Sequence, residues 1–459
     1  MIEKEIVACG LRVNFNRQQL KDEDYKQLLV VGKKKMILER FRDMIDGLEV
    51  NTSEHRAALH TSLRSFDVNS PKFEEVNAER KRMLAFADDV REGRWRGCRG
   101  NRITDVINIG IGGSDKGPHM VWHALHGINP TIRLHFLSTV DGILLDRILG
   151  ACNPYSTLVI VSSKSFSTRE TLVNASAVDQ WLLDNGVSGS DRNRHMVVVS
   201  ANPEATDQMC LPEANGFKIW NWVGGRFSLW GAIGLPLAVG LGSQAFLELL
   251  KGAEEMDIHT KTKPLEENLP VHMALVSYWN SVERNIPTHC ILPYDERLRL
   301  LVDWDQQLEM ESLGKIMSPN GTKVSHSTGQ CIWGANGNEG QHSFYQWLRE
   351  GCGSTSIDML WSVSPGHPFA EHYRVLLSNA KAQAQALVTR DTSSDRYDVL
   401  TTIELDGVTP RRLGALLALY EHKTTMLGTL YDINPFDPPG VEYAKVLSKK
   451  LEKEFKTKE

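Results

Sequence analysis

TLVIVSSKSFST, residues 157–168, joins an apolar run to a turn rich in hydroxyl groups. The apolar run over 157–161 predicts a β-strand, and the segment from Glu170 to about Leu183 predicts a helix. The start of a helix offers unpaired N–H groups and the positive end of its dipole, which suit a phosphate monoester. The alternative is an N-cap cluster that binds no ligand. The polar side chains concerned are Ser163, Lys164, Ser165 and Thr168.

Short β-rich runs alternate with helical segments on both sides of this stretch. The first set of predicted strands is 106–109, 132–136, 158–161 and 196–199, and the second is 289–292, 330–333 and 357–361. Helices near 302–312, 342–348 and 371–387 separate the strands of the second set. The alternation is typical of parallel sheets flanked by helices, so it predicts an α/β fold with two subdomains of similar plan.

The predicted organisation divides the 459 residues into four parts. They are a helical N-terminal segment (1–100), a first α/β subdomain (101–255), a second α/β subdomain (256–410) and a helical C-terminal segment (411–459). Apolar residues at helical spacing predict helices over 25–45 and 72–91. The charged pattern of 446–459 predicts a solvated amphipathic helix.

Composition excludes several classes of protein. A net charge of −5 argues against a nucleic-acid surface and against an anionic membrane partner. Seven scattered cysteines, from Cys9 to Cys352, indicate reduced thiols in a cytoplasmic protein. The N-terminus lacks the apolar core of a signal peptide. Residues 227–247 carry no charge, but glycines and a proline interrupt them, which favours buried helices over a membrane span.

Two glycine-rich turns are further candidate sites. The turn at 110–118 nearly matches a dinucleotide fingerprint, but no acidic residue follows the next predicted strand, so a cofactor is not expected. Gly113 and Ser114 there either approach a ligand or form a tight turn. Arg226 follows Gly225 and leads into an apolar segment, where it either pairs with a buried carboxylate or faces an anion.

Three other residues are candidates for proton transfer. Glu311 lies beside Leu308 and Met310, where partial burial favours a general base, and the alternative is a surface glutamate. His342, near a loop-to-helix junction, either transfers protons or caps the helix. Lys445 carries no signal of its own.

Together these segments resemble the phosphoglucose isomerase family, which has two sugar-isomerase domains. The resemblance covers nearly the whole chain, in order, through Asn51–Glu54, Arg56–His60, Gly113–Ser114, Ser163–Thr168, Gly225–Arg226, Met310–Ser312, Gly340–His342, Ala418–Lys423 and Gly440–Lys445. It implies reversible conversion of glucose 6-phosphate to fructose 6-phosphate by ring opening and proton transfer through a cis-enediol.

The resemblance also implies the site residues. Glu311 would carry a proton between C1 and C2, and Arg226 would stabilise the developing negative charge. His342 and Lys445 would assist ring opening. The phosphate would be held by Ser114, Ser163, Lys164, Ser165 and Thr168. Gln307 and Gly225 would lie close to the ring-opening residues, and Gly113 would be a further substrate-binding residue. No metal or cofactor is implied, and the partners are the sugar phosphate and a second copy of the chain, which would supply its histidine at the subunit interface.

Two departures from the family pattern leave specificity open. Leu313 replaces an asparagine, and Pro438 replaces a glutamine that contacts substrate in the family. They motivate a second hypothesis, relaxed specificity that includes mannose 6-phosphate. A third hypothesis is a sugar-phosphate-sensing module without catalysis.

Overall fold

The computed structural model describes residues 2–127, 130–388, 398–440, 447–448 and 451. The strands are β1 (Glu5–Ala8), β2 (Leu11–Arg17), β3 (Asp105–Ile109), β4 (Arg133–Leu137), β5 (Thr157–Ser162), β6 (Met196–Ser200), β7 (Gly216–Lys218), β8 (Thr288–Pro293), β9 (Cys331–Gly334), β10 (Thr355–Ser362) and β11 (Asp398–Leu405).

The helices alternate with these strands, as the pattern predicts. They are α1 (Asp22–Lys34), α2 (Ile37–Ile45), α3 (Phe73–Glu92), α4 (Lys116–Leu125), α5 (Gly142–Ala151), α6 (Arg169–Asp184), α7 (Ala205–Gln208), α8 (Leu235–Leu241), α9 (Ser243–Thr262), α10 (Leu269–Tyr278), α11 (Leu301–Asp305), α12 (Glu311–Leu313), α13 (Gly337–Gly340), α14 (Tyr345–Glu350), α15 (Ala370–Val388) and α16 (Pro410–Tyr431). A π-helical turn, Gln306–Met310, joins α11 to α12.

Two sheets organise the chain. The first is parallel throughout, in the order β4-β3-β5-β6-β7. The second has the order β1-β2-β11-β10-β8-β9, with β11, β10, β8 and β9 parallel and the β1–β2 hairpin antiparallel. The predicted α/β class with mainly parallel sheets flanked by helices is therefore confirmed.

The central strands are apolar throughout because both faces of the sheet are covered. In β5, Leu158 and Ile160 contribute to one core, whereas Val159 and Val161 contribute to the other. All four side chains are fully buried. Such strands are therefore continuous apolar runs, which is why the sequence signal at 157–161 was strong.

The expectation of helices alone in the N-terminal segment was wrong. Leu11, Val13 and Phe15 alternate with polar residues and form β2, which pairs with β11 of the second sheet. Cys9 and Gly10, both with positive φ (52° and 76°), make the tight turn between β1 and β2. Because side chains on a strand alternate between faces, this pattern buries three apolar residues on one face of the sheet.

The helix expected over 25–45 is two helices. Met36, with a φ of 54°, interrupts it in the left-handed region. The break has a packing reason: Gly32 of α1 lies against Leu265 and Leu275, whereas Phe41 of α2 packs on His422 of α16. A single straight helix over 25–45 would not place Gly32 and Phe41 against these separate neighbours at the same time.

The uncharged stretch 227–247 contains α8 and is almost wholly buried over 227–240, as expected, whereas Gln244 near its end is exposed. Within the described ranges, no helix combines the length and apolar composition that a bilayer crossing requires. The seven cysteines are free thiols. The amphipathic helix expected over 446–459 lies largely outside the described residues.

Candidate active site

The hydroxyl-rich turn lies at the carboxyl end of β5 and leads into α6. Phe166 adopts a left-handed φ of 52° and is buried in the core of the first sheet, which anchors the turn. The Oγ atoms of Ser165 and Ser167 are 2.7 Å apart. Thr168 is the N-cap residue of α6, yet its side chain makes no capping hydrogen bond. The alternative of a cap cluster is therefore not supported at Thr168, whose hydroxyl is not used to cap the helix.

Ser163 adds a second sign of a ligand site. Its Oγ is buried and, among the residues described, has no hydrogen-bond partner. A buried hydroxyl without a partner is unfavourable, and Ser163 Oγ is therefore available to hydrogen-bond a bound group.

Lys164 projects from the same turn toward the segment before Gly225. Its Nζ donates to the carbonyl oxygens of Asn221 (3.0 Å) and Val223 (2.7 Å). Burial, and to a lesser extent the guanidinium of Arg56, lowers the pKa of Lys164 to about 8. Keeping the Lys164 ammonium charged in this buried position therefore costs free energy, and a bound dianion would offset that cost.

The two glycine-rich turns touch each other beside this lysine. A Cβ added to Gly113 would lie 2.0 Å from the carbonyl oxygen of Gly225, so only glycine permits the contact. Asn108, fully buried in β3, donates to the carbonyl oxygen of Ser114 over 3.2 Å. Ser114, Lys164 and Gly225 line one cavity. The structure thus brings the predicted phosphate-binding turn and both glycine-rich turns together.

Arg226 pairs with Glu311, the predicted base. Its Nη1 lies 3.2 Å from Glu311 Oε1, its Nε donates to Ser312 Oγ (2.5 Å), and its Nη2 donates to the carbonyl oxygen of Pro435 (2.5 Å). Arg226 is buried, and that burial lowers its pKa although Glu311 opposes the shift. Of the two interpretations of Arg226, pairing with a carboxylate is the one observed.

A second side chain contacts the other carboxylate oxygen of Glu311. Gln307 Nε2 donates to Glu311 Oε2 over 2.9 Å. Gln307 in turn lies against Gly112, where an added Cβ would be 3.0 Å from Nε2. The Glu311 side chain keeps 23% of its surface exposed, so the carboxylate is held on two sides and open to solvent. That arrangement leaves it accessible to a substrate while fixing its direction.

A supporting cluster was missed in the sequence. Lys315 Nζ pairs with Asp437 Oδ1 (2.7 Å), and Ser53 Oγ donates to Asp437 Oδ2 (2.5 Å). Burial lowers the pKa of Lys315 to about 8, against the opposing effect of Asp437. The cluster fixes the segment whose Pro435 carbonyl accepts from Arg226. The segment Asn51–Glu54 was noted for its resemblance, but nothing in its spacing indicated contact with residue 437.

Two predicted residues are not brought into this group. His342 is exposed, in the turn between α13 and α14, where its backbone N–H donates to the carbonyl oxygen of Glu339. Lys445 lies outside the described residues. The predicted site residues that the structure brings together are therefore the predicted phosphate-binding turn, the two glycine-rich turns, and the Arg226–Glu311–Gln307 group.

One cluster of metal-ligand type, Asp105, His135 and Cys152, occurs in the described part of the chain. Asp105 begins β3, whereas Ser114 follows the far end of that strand. Both oxygens of Asp105 accept from Arg133 at 2.9 Å, and His135 Nε2 is also 2.9 Å from Oδ1. Both carboxylate oxygens of Asp105 are thus already hydrogen-bonded by neighbouring side chains. Among the described residues, no hydrogen bond or ion pair joins this cluster to Glu311.

Comparisons with known proteins agree with one another. The family model for phosphoglucose isomerase matches residues 14–459. The chain is 42% identical over 463 residues to a glucose-6-phosphate isomerase of Paraburkholderia phymatum, covering 96% of this chain and 86% of that protein. A glucose-6-phosphate isomerase of Burkholderia orbicola is 42% identical over 467 residues, covering 97% and 86%.

Similarity extends to a solved structure. The crystal structure of a glucose-6-phosphate isomerase from Chlamydia trachomatis superposes with a TM-score of 0.89 at 27% identity, covering 98% of this chain and 90% of that chain. Family model, sequence relatives and structure all span almost the entire length. The chain therefore belongs to the phosphoglucose isomerase family.

Proposed function

We propose that the chain catalyses the reversible isomerisation of glucose 6-phosphate to fructose 6-phosphate, with Glu311 as the proton-transferring group. The observation that carries this assignment is a single, partly exposed carboxylate held between a buried guanidinium and an amide. An aldose–ketose isomerisation moves one proton between adjacent carbons, and one correctly placed base can serve both.

The phosphate is assigned to the turn after β5. Ser163, Ser165 and Thr168 supply hydroxyl donors, Lys164 supplies charge, and Ser114 adds a donor from the neighbouring turn. Support comes from the unpartnered buried Ser163 Oγ and from the cavity shared by Ser114, Lys164 and Gly225. Anchoring the phosphate, which takes no part in the reaction, places C1 and C2 without using binding groups at the reacting carbons.

Arg226 is assigned to the oxygen that becomes negative in the cis-enediol(ate). A buried, fixed cation stabilises charge that develops in the transition state more strongly than water does. Three contacts, to Glu311, Ser312 and Pro435, hold the guanidinium in place before substrate arrives. Gln307 keeps the carboxylate oriented, and Gly113 and Gly225 allow the two turns to meet.

Ring opening is assigned to His342 and Lys445, with His342 acting in the site of the partner subunit of a homodimer. The exposed position of His342 supports this, because an exposed side chain is free to enter a neighbouring subunit. A cytoplasmic location and the absence of a metal requirement complete the proposal.

The departure at Leu313 does not support relaxed specificity. Leu313 is fully buried and contacts Gly329, so its side chain belongs to the core. The remaining argument for activity on mannose 6-phosphate is Pro438, which follows the Lys315–Asp437 pair directly.

The test is an assay of fructose 6-phosphate formation by the purified protein with a chelator present. Glu311→Gln should lower kcat by about 10²- to 10⁴-fold, because the amide cannot accept the proton. Binding of sorbitol 6-phosphate, which has no carbonyl to react, should stay close to wild type. Glu371→Gln, an exposed glutamate paired with Arg374, is the matched control and should leave kcat unchanged. Full turnover by Glu311→Gln would refute the assignment, and tight binding without isomerisation by wild type would indicate a sensing module.

A further inference from the structure

A buried ion pair lies on the inner side of the π-helical turn that precedes Glu311. Lys423 of α16 places its Nζ 2.5 Å from Glu309 Oε1. The two side chains are only 1% and 4% exposed. Although burial opposes the charged form, Glu309 and Asp358 raise the pKa of Lys423, so the lysine stays protonated. The turn is therefore tied to α16, a helix most of whose residues are buried.

Residues of the turn and of α12 point in different directions. Glu309 faces α16, Ser312 accepts from Arg226, and Gln307 and Glu311 meet each other on the open side. A π-helical turn contains one residue more than an α-helical turn and is rare because its packing is less favourable. Such a turn persists only where the surrounding structure holds it. The Lys423–Glu309 pair is a contact that does so from the buried side.

Asp305, the last residue of α11, directly precedes the same turn. It is fully buried, and both of its carboxylate oxygens lack hydrogen-bond partners among the described residues. Burial, together with the adjacent Glu309, raises the pKa of Asp305 well above its usual range. Glu309 is thus the carboxylate of this turn that forms the ion pair with Lys423.

We propose that Lys423 is a positioning residue for Glu311: by holding Glu309 on the buried side of the π-helical turn, it fixes the direction in which Gln307 and Glu311 leave that turn. This inference rests on the proposed function. Lys423 contacts neither the phosphate-binding turn nor Arg226 in the hydrogen bonds and ion pairs described. Its loss should therefore affect the reacting carbons and leave phosphate binding intact.

The test separates positioning from stability with three variants. Lys423→Met leaves a buried carboxylate without its cation, so it should lower both the melting temperature and kcat. The double variant E309M/K423M replaces both charged side chains by apolar ones of similar length, and such replacements are often neutral for stability. It should regain the melting temperature but not kcat, which should remain about 10²-fold below wild type, the cost of a shift of about 1 Å in a reacting group. Glu309→Gln retains an acceptor for Lys423 and should give an intermediate kcat.

Controls distinguish the possible failures. Thr424→Val removes a buried hydrogen bond to Tyr420 on the same helix and should leave kcat unchanged. Affinity for sorbitol 6-phosphate should be unchanged in every variant. Recovery of kcat together with melting temperature in E309M/K423M would overturn the inference, as would an equal loss of kcat in Thr424→Val. If Lys423→Met does not fold, the double variant decides. Inactive wild-type protein would instead refute the proposed function.

Discussion

Lys164 gives the sharpest quantitative test of the proposed phosphate site. Its pKa is about 8 in the folded chain, lowered from 10.5, and the largest cause is burial. A shift of that size corresponds to about 3 kcal/mol for keeping the ammonium in this environment. Below pH 8 the folded and unfolded chains both carry the proton, so the cost is present in full. It fades as pH rises from 8 toward 10.5, because the folded chain loses the proton first.

A bound phosphate dianion changes this balance, because it stabilises the ammonium. The ligand should therefore bind the protonated form, and affinity should be constant below pH 8 and fall above it. For a pKa of about 8, the protonated fraction decreases about tenfold between pH 7 and pH 9. The phosphate group itself is already a dianion over this range. The expected loss of affinity is accordingly about tenfold.

Calorimetry with sorbitol 6-phosphate at pH 7, 8 and 9 measures this loss without interference from turnover. Lys164→Arg keeps a charge that does not titrate in this range, so its affinity should be nearly independent of pH. The comparison also isolates Lys164 from Lys315, whose pKa is likewise about 8. A wild-type affinity that is constant from pH 7 to pH 9, or an equal fall in Lys164→Arg, would refute the reasoning.

Local sequence patterns predicted much of the fold because buried positions hold apolar residues at the spacing of the helix or strand that contains them. The turn after β5 was located correctly, since its strand is apolar on both faces and its helix has regular spacing. The strand with Leu11, Val13 and Phe15 also has a period of two, but it is short and is followed at once by longer segments with helical spacing, which favoured helices for the whole N-terminal part. The break at Met36 had no local signal, because it depends on which neighbours α1 and α2 contact.

The sequence predicted which residue types form the candidate site, but it did not predict which of those residues contact each other. Glu311 and Arg226 were selected by resemblance, and the structure places them 3.2 Å apart although 85 positions separate them in the chain. No spacing rule relates Ser53 to Asp437 or Arg226 to Pro435, because these contacts form only when the C-terminal segment folds back. The π-helical turn has no sequence signature either, since Glu309 and Glu311 look alike until one is buried.

Three further changes test the geometry around Glu311. Gly113→Ala should abolish turnover and lower the melting temperature, because its Cβ would lie 2.0 Å from the carbonyl oxygen of Gly225; wild-type kcat would contradict the close contact. Arg226→Lys should lower kcat by about 10²- to 10³-fold with little change in phosphate affinity, since lysine lacks the fork that reaches Glu311 and Pro435 together. Leu313→Asn restores the residue usual in the family, but here it places an amide in a fully buried position. A buried amide without partners costs about 1–3 kcal/mol, so the midpoint of urea unfolding should fall. The ratio of activities on glucose 6-phosphate and mannose 6-phosphate should not change, because the side chain faces the core. A changed ratio at unaltered stability would mean that position 313 faces the substrate after all.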